Sequence, residues 1–153
     1  MITAHLPSGY VLSRALSGGQ AVAIAAIAGA LAPDLDLIWF YTVDAHAIHH
    51  HRYWVHAPTF ALVVSALALG LGKALRPGLT PIILAFAIGW LLHIALDSIA
   101  GGIMWLWPVS DTLFALIEVP ATYSHFLISF LLHPSFLLEL AVWVVALWLW
   151  FRR

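Results

Sequence analysis

The stretch Gly89-Trp90-Leu91-Leu92-His93-Ile94-Ala95-Leu96-Asp97 sets a histidine and a carboxylate four residues apart within a long apolar run. Residues at i and i+4 stack on one face of a helix. An imidazole and a carboxylate so placed can grip one metal ion together. The run, from Thr80 to about Ile99, is apolar enough to span a bilayer. Ionisable groups inside such a helix are costly unless they pair, bind or react. The pair therefore predicts that the rest of the chain delivers further His and Asp to the same place.

The composition supports the membrane setting. Of 153 residues, 63% are hydrophobic and 8% charged, and mean hydropathy is +1.00. A soluble domain carries about 25% charged residues. We therefore expect an integral membrane protein of one domain, residues 1–153, with the lipid bilayer as its surroundings. Net charge is -1, so no basic surface points to nucleic acid. Cysteine is absent, which excludes disulfides and thiolate metal ligands. Nine histidines against six Lys plus Arg is an imbalance that calls for a chemical reason. Near the N-terminus, Arg14, the apolar run 21–31 and Ala30-Leu31-Ala32 resemble a signal peptide. A thin, late positive region and Pro33 directly after the cut argue against cleavage.

Read in order, residues 5–17 and 20–32 form two short helices broken by Ser17-Gly18-Gly19, with Pro7 in the first turn and Pro33 at the end. At roughly 20 Å each, neither crosses a core of about 30 Å. A helical hairpin follows, which returns His5 beside Asp34 and Asp36. The alternative, one span over about 20–40, would bury two carboxylates and a proline in lipid. Residues 41–56 are polar and aromatic, hold five of the nine histidines, and read as a loop or interfacial segment. Helices over 57–75 and 80–99 form a second hairpin, turning at Arg76-Pro77-Gly78. Its open end brings His56 to His93 and Asp97. Gly101-Gly102 breaks the chain, 103–134 predicts one or two short interfacial helices, and 135–151 is a last apolar span. The fold class is thus an all-α membrane bundle of two hairpins and a C-terminal span.

Charge sets the orientation. Arg14, Lys73, Arg76, Arg152 and Arg153 fall at the turns or the C-terminus, and Arg52 alone lies at the His/Asp end. The positive-inside rule makes the first set cytoplasmic and the cluster non-cytoplasmic. The sequence leaves the oligomeric state open.

The hairpins gather His5, Asp34, Asp36, His51, His56, His93 and Asp97, all N or O donors. A catalytic zinc needs about three ligands and an open position, so seven suit two ions, or one ion and a general base. Imidazole with carboxylate suits zinc, and also manganese, iron or nickel. Paired ions roughly 3.5–4 Å apart are a common device for phosphoester hydrolysis. Arg52 has the planar fork that matches phosphate. Taken singly, His93 and Asp97 also fit a buried packing pair, and Asp34 and Asp36 a capped turn. His46, His49 and His50 read as interfacial. Glu118, Asp111 and Glu139 read as structural or interfacial. His125 and His133 lie in an ambiguous segment.

With these motifs in order, the chain resembles the YdjM/YbcI-like family of inner-membrane, metal-dependent hydrolases. The likeness runs through Thr3-Ala4-His5, Pro33-Asp34-Leu35-Asp36, His51-Arg52-x-x-x-His56, His93-x-x-x-Asp97 and Leu106-Trp107-Pro108. That family is grouped by similarity with the helical zinc phospholipase C and P1-nuclease enzymes. The resemblance implies hydrolysis of a phosphoester by metal-activated water, and a lipid is the substrate we expect. His5, Asp36, His51, His56, His93 and Asp97 would hold one or two divalent ions, with zinc the first choice. Asp34 would be ligand or base, and Arg52 the phosphate holder. The chain departs from the family at Tyr53, Trp54 and Val55, where Gly and Thr are usual. A metal-binding or transport protein without turnover is the alternative. Transport sites usually lie near the bilayer midplane, whereas these residues collect at helix ends.

Overall fold

The computed structural model describes residues 3–152, and its regular elements are helices. They are α1 (His5–Ala15), α2 (Gln20–Leu31), α3 (Asp36–Thr42), α4 (Pro58–Leu75), α5 (Thr80–Ala100), α6 (Phe126–Leu131) and α7 (Phe136–Phe151). Single 3-10 turns cover Pro33–Leu35, His50–Arg52, Trp54–His56 and Pro77–Leu79. Proline at the start of α4 and α5 sits where its missing N–H costs nothing. The expected all-helical membrane class is the observed one.

Among the described residues, two segments are long and apolar enough to cross a membrane, Pro58–Leu75 and Pro77–Ala100. The segments Gln20–Leu31 and Pro33–Thr42 qualify together as a broken span, bent by 53°. The first hairpin therefore does not end at Pro33. Proline cannot donate to the ladder behind it, so α2 stops at Leu31, and the chain resumes as α3 in a new direction. α7, at 16 residues, covers roughly 24 Å.

α2 and α5 pack against each other at the centre of the bundle, and two glycines let them. A Cβ on Gly29 would overlap the carbonyl oxygen of Phe86, and one on Gly89 that of Ala26. In lipid, helix association leans on such close backbone approach because no hydrophobic force separates helix from solvent. Val22, Ala25, Ala26 and Ala85 form the buried patch between them, with Leu12 of α1 and Leu16 just after it added. Ala61 of α4 packs with Trp90, Ile94 and Ile103 in a second patch. Along α5, Ala85, Gly89, His93 and Asp97 are all buried and recur every four residues on one face. The same stripe that packs small against α2 ends in the two polar residues.

Segment 103–134 holds one short helix, α6, and is otherwise irregular; Ile103 and Phe114 pair across it in an isolated antiparallel bridge. α7 is tied back to the N-terminus. The buried Glu139 accepts hydrogen bonds from the Thr3 backbone N–H and hydroxyl, and Trp143 donates to the same hydroxyl. Glu139, expected to be structural or interfacial, thus anchors the stretch of chain that leads into His5.

Candidate metal centre

The polar cluster is built from the ends of four elements. His5 opens α1, Asp34 and Asp36 follow α2, His51 and His56 occupy the 3-10 turns before α4, and His93 and Asp97 lie in the last turns of α5. His5, His51, His56, His93 and Asp97 are buried. Asp34, 27% exposed, is the most open of the three carboxylates.

Each histidine is oriented by something specific. His93 Nδ1 donates to the Ala30 carbonyl at 2.8 Å. His51 Nδ1 donates to the Gly101 and Gly102 carbonyls at 2.7 and 3.0 Å. A carbonyl can only accept, so Nδ1 carries a proton in both rings, and in the neutral ring Nε2 presents a lone pair. Such a hydrogen bond from the ring's other nitrogen is how proteins fix the tautomer and aim of a metal-binding imidazole. The His5 ring stacks on His93 with centroids 3.7 Å apart. Trp90 Nε1 donates to Val55 O at 2.8 Å, which pins the loop before α4 onto α5.

The freed Nε2 atoms converge on acceptors. His93 Nε2 is 3.0 Å and His51 Nε2 3.4 Å from Asp97 Oδ2. His93 Nε2 is also 3.3 Å from His56 Nε2 and 3.7 Å from Asp34 Oδ1. His5 Nε2 lies 3.2 Å from Asp97 Oδ1 and 4.0 Å from Asp34 Oδ2. Lone pairs facing a carboxylate repel unless a cation lies between them. A proton on one ring satisfies one such contact; a divalent cation at the centre satisfies several at once. Burial pushes His51 down to about 3 and also lowers His56, so both rings stay neutral and ligand-competent.

The donor set fits a divalent metal. Ligand atoms of His5, His93 and Asp97 lie within 4.8 Å of one another, as do those of Asp34, His56 and His93. The mixture of imidazole and carboxylate is that of zinc and its neighbours. Inside a bundle otherwise walled by alanine, leucine and isoleucine, an unneutralised group of this kind would be expensive.

Not every predicted residue joins this group directly. Asp36 faces His56 Nδ1, 3.0 Å from its Oδ2, on the far side of that ring. Arg52 lies beside His51 in the chain, but its guanidinium pairs with Asp111 at 3.1 Å on the exposed surface. The bulky residues that follow it are anchors: Trp54 packs edge-on against Phe60 with centroids 4.4 Å apart, and Tyr53 donates to Asp44. Among the other histidines, His49 Nδ1 accepts from the His51 backbone N–H, His125 Nδ1 caps α6, and His133 bonds Ser135. His46 packs edge-on against Phe40 and Tyr41.

Sequence reasoning missed four contributors. His50, read as interfacial, groups with His51 and His56. Gly101 and Gly102, read as a plain break, hold the His51 ring; a Cβ on Gly101 would overlap its Cε1. Ala30 contributes only a backbone oxygen, for which no side-chain signal exists. The glycine contribution had a visible trace, since two adjacent glycines just after a His-x-x-x-Asp helix mark close backbone approach as well as a turn.

These features define a helical integral membrane protein with a buried His/Asp cluster at one end of its apolar helices. The chain belongs to the YdjM inner membrane protein family, whose model matches residues 1–153. It is similar to inner membrane protein YbcI of Escherichia coli (strain K12), with 36% identity over 90 residues, or 56% of this chain and 52% of that protein. The match spans about half the length of that relative. No solved structure matches the chain.

Proposed function

We propose that the protein is a membrane-embedded, metal-dependent hydrolase acting on a phosphoester, with a lipid-like substrate. The observation that carries this reading is the aim of two lone pairs, His93 Nε2 and His51 Nε2, at one oxygen of Asp97. A divalent cation between them would satisfy both contacts at once, and the donor set is one that binds zinc. In this reading His93, Asp97 and His5 hold the ion, with His51, His56 and Asp36 completing or orienting the site. A divalent ion there supplies Lewis-acid charge for a phosphoryl oxygen and a water of lowered pKa.

The chain's own residues divide the remaining work. Asp34 is the most open carboxylate at the cluster and is suited to take the proton from an attacking water. Arg52 stands at the exposed edge. An exposed ion pair such as Arg52–Asp111 is worth about 0–1 kcal/mol, so an incoming phosphate can replace Asp111 on the fork. The apolar surroundings favour a substrate that arrives through the bilayer. The resemblance of the motif order to that of zinc phospholipases points the same way.

The test has two arms. Elemental analysis of the purified, detergent-solubilised chain should find a stoichiometric divalent metal, and Asp97→Ala should lose it. Wild type should release phosphate or headgroup from a panel of phospholipids, and His93→Ala should not. Metal-free wild type sinks the whole reading. Bound metal with no hydrolysis of any phosphoester turns the assignment to a metal-holding protein without turnover, which the deep burial of His56, His93 and Asp97 favours.

A further inference from the structure

His56 has polar partners on both sides of its ring. Nε2 faces His93, Asp34 and Asp97. Nδ1 faces a different set. It lies 3.0 Å from Asp36 Oδ2, and the other Asp36 oxygen is 3.8 Å from His50 Nδ1. His50, His51 and His56 bring ligand atoms within 4.8 Å of one another. His50 Nδ1, His56 Nδ1 and both Asp36 oxygens are buried atoms without a hydrogen bond among the described residues. Buried polar atoms are nearly always satisfied, and here four converge without that satisfaction.

One ion cannot use them and the inner group together. The triplets His5–His93–Asp97 and His50–His51–His56 share no residue and are joined only through Asp34–His56–His93, and a zinc-type ion takes about four ligands. Two ligands at about 2.0–2.2 Å from one ion lie at most about 4.4 Å apart, and the 3.8 and 3.0 Å separations on the outer side fall inside that limit.

We infer that a second divalent cation binds on the outer side of His56, held by His50, Asp36 and His56 Nδ1, with His51 in reach. This rests on the metal-centre reading above and extends it to a second position with a ligand, His50, that the motif pattern does not contain.

The experiment is zinc loading of the full chain in detergent micelles, removal of free metal, and elemental analysis per chain. Cobalt titration followed by visible absorption counts binding phases independently. Wild type should hold two ions and show two phases. His50→Ala should hold one ion and lose one phase, with its helical circular dichroism unchanged. His50→Gln, which keeps the volume, should behave as His50→Ala. His46→Ala, in the same loop but packed on Phe40 and Tyr41, should match wild type. A wild-type count of one, or a count of two that survives both His50 variants, overturns the second position and leaves the inner centre standing. A wild-type count of zero removes both.

Discussion

The residues that make this centre are ordinary ligand types, and the backbone around them makes them a site. His93 takes its orientation from the Ala30 carbonyl and His51 from those of Gly101 and Gly102. The ligand types and their clustering were legible from spacing alone: His-x-x-x-Asp on a helix, a Pro-Asp-x-Asp turn, a His-Arg-x-x-x-His loop. The orienting carbonyls were not, because every residue has one and only the fold aims it. Gly101 allows a clean test of this layer. Its φ is -112°, which any L-residue adopts, so Gly101→Ala is not a backbone-strain variant. Its new Cβ would instead overlap His51 Cε1 and crowd the Asp97 carbonyl oxygen, 2.9 Å away. We expect metal affinity to fall by about 10–100-fold, the usual cost of disturbing an outer-shell partner, with helix content unchanged. Competition against a chelator of known affinity measures this. Unaltered affinity would show that His51 does not depend on that contact.

At the scale of elements, the centre stands on the crossing of α2 and α5. In α2, Val22, Ala26 and Ala30 recur every four residues and lead to Asp34; in α5, Ala85, Gly89 and His93 lead to Asp97. Helix lengths and breaks were readable from the apolar runs and from Pro33, Pro77 and Gly101. Partner choice was not, because hydrophobicity is nearly uniform around a membrane helix and gives no amphipathic stripe to follow. Small residues at four-residue spacing were the available signal, and they mark the faces that meet. The consequence is measurable. Gly89→Ala would push a Cβ into the Ala26 carbonyl, and backbone cannot move aside as a flexible side chain can. The two helices must separate, at a cost of about 1–3 kcal/mol for an overpacked contact. Gly70 of α4 has nothing within 4 Å of a built Cβ, so Gly70→Ala should be neutral or stabilising by up to about 1 kcal/mol through helix propensity. Thermal unfolding of both variants in the same detergent compares them. Equal melting of Gly89→Ala and wild type would contradict the close crossing.

For the whole molecule the decisive feature is polarity along the bundle axis. Arg14 ends α1, Lys73 lies in the last turn of α4, Arg76 precedes α5, and Arg152 follows α7 with its guanidinium 4.2 Å from the centre of the Trp148 ring. The His/Asp cluster occupies the opposite ends of α1, α4 and α5. This separation was legible once the helices were placed, because antiparallel hairpins alternate the ends of a chain automatically. What hydropathy could not show was the 53° bend that carries α3 away from α2 and brings Asp36 to His56. Cations at one end predict that end to be cytoplasmic, which puts the cluster on the outer side of the membrane. The absence of cysteine makes the test direct, since any introduced thiol is the only one. Ala47→Cys lies in the exposed loop at the cluster end, and Gly78→Cys in the exposed turn between α4 and α5, with open space for the side chain. A membrane-impermeant maleimide added to intact cells or right-side-out vesicles should label Ala47→Cys at once and Gly78→Cys only after permeabilisation. The reverse pattern would place the centre on the cytoplasmic side. A hydrolase reading would then need a substrate from the inner leaflet, and the lipid panel would have to be presented to inverted vesicles to find it.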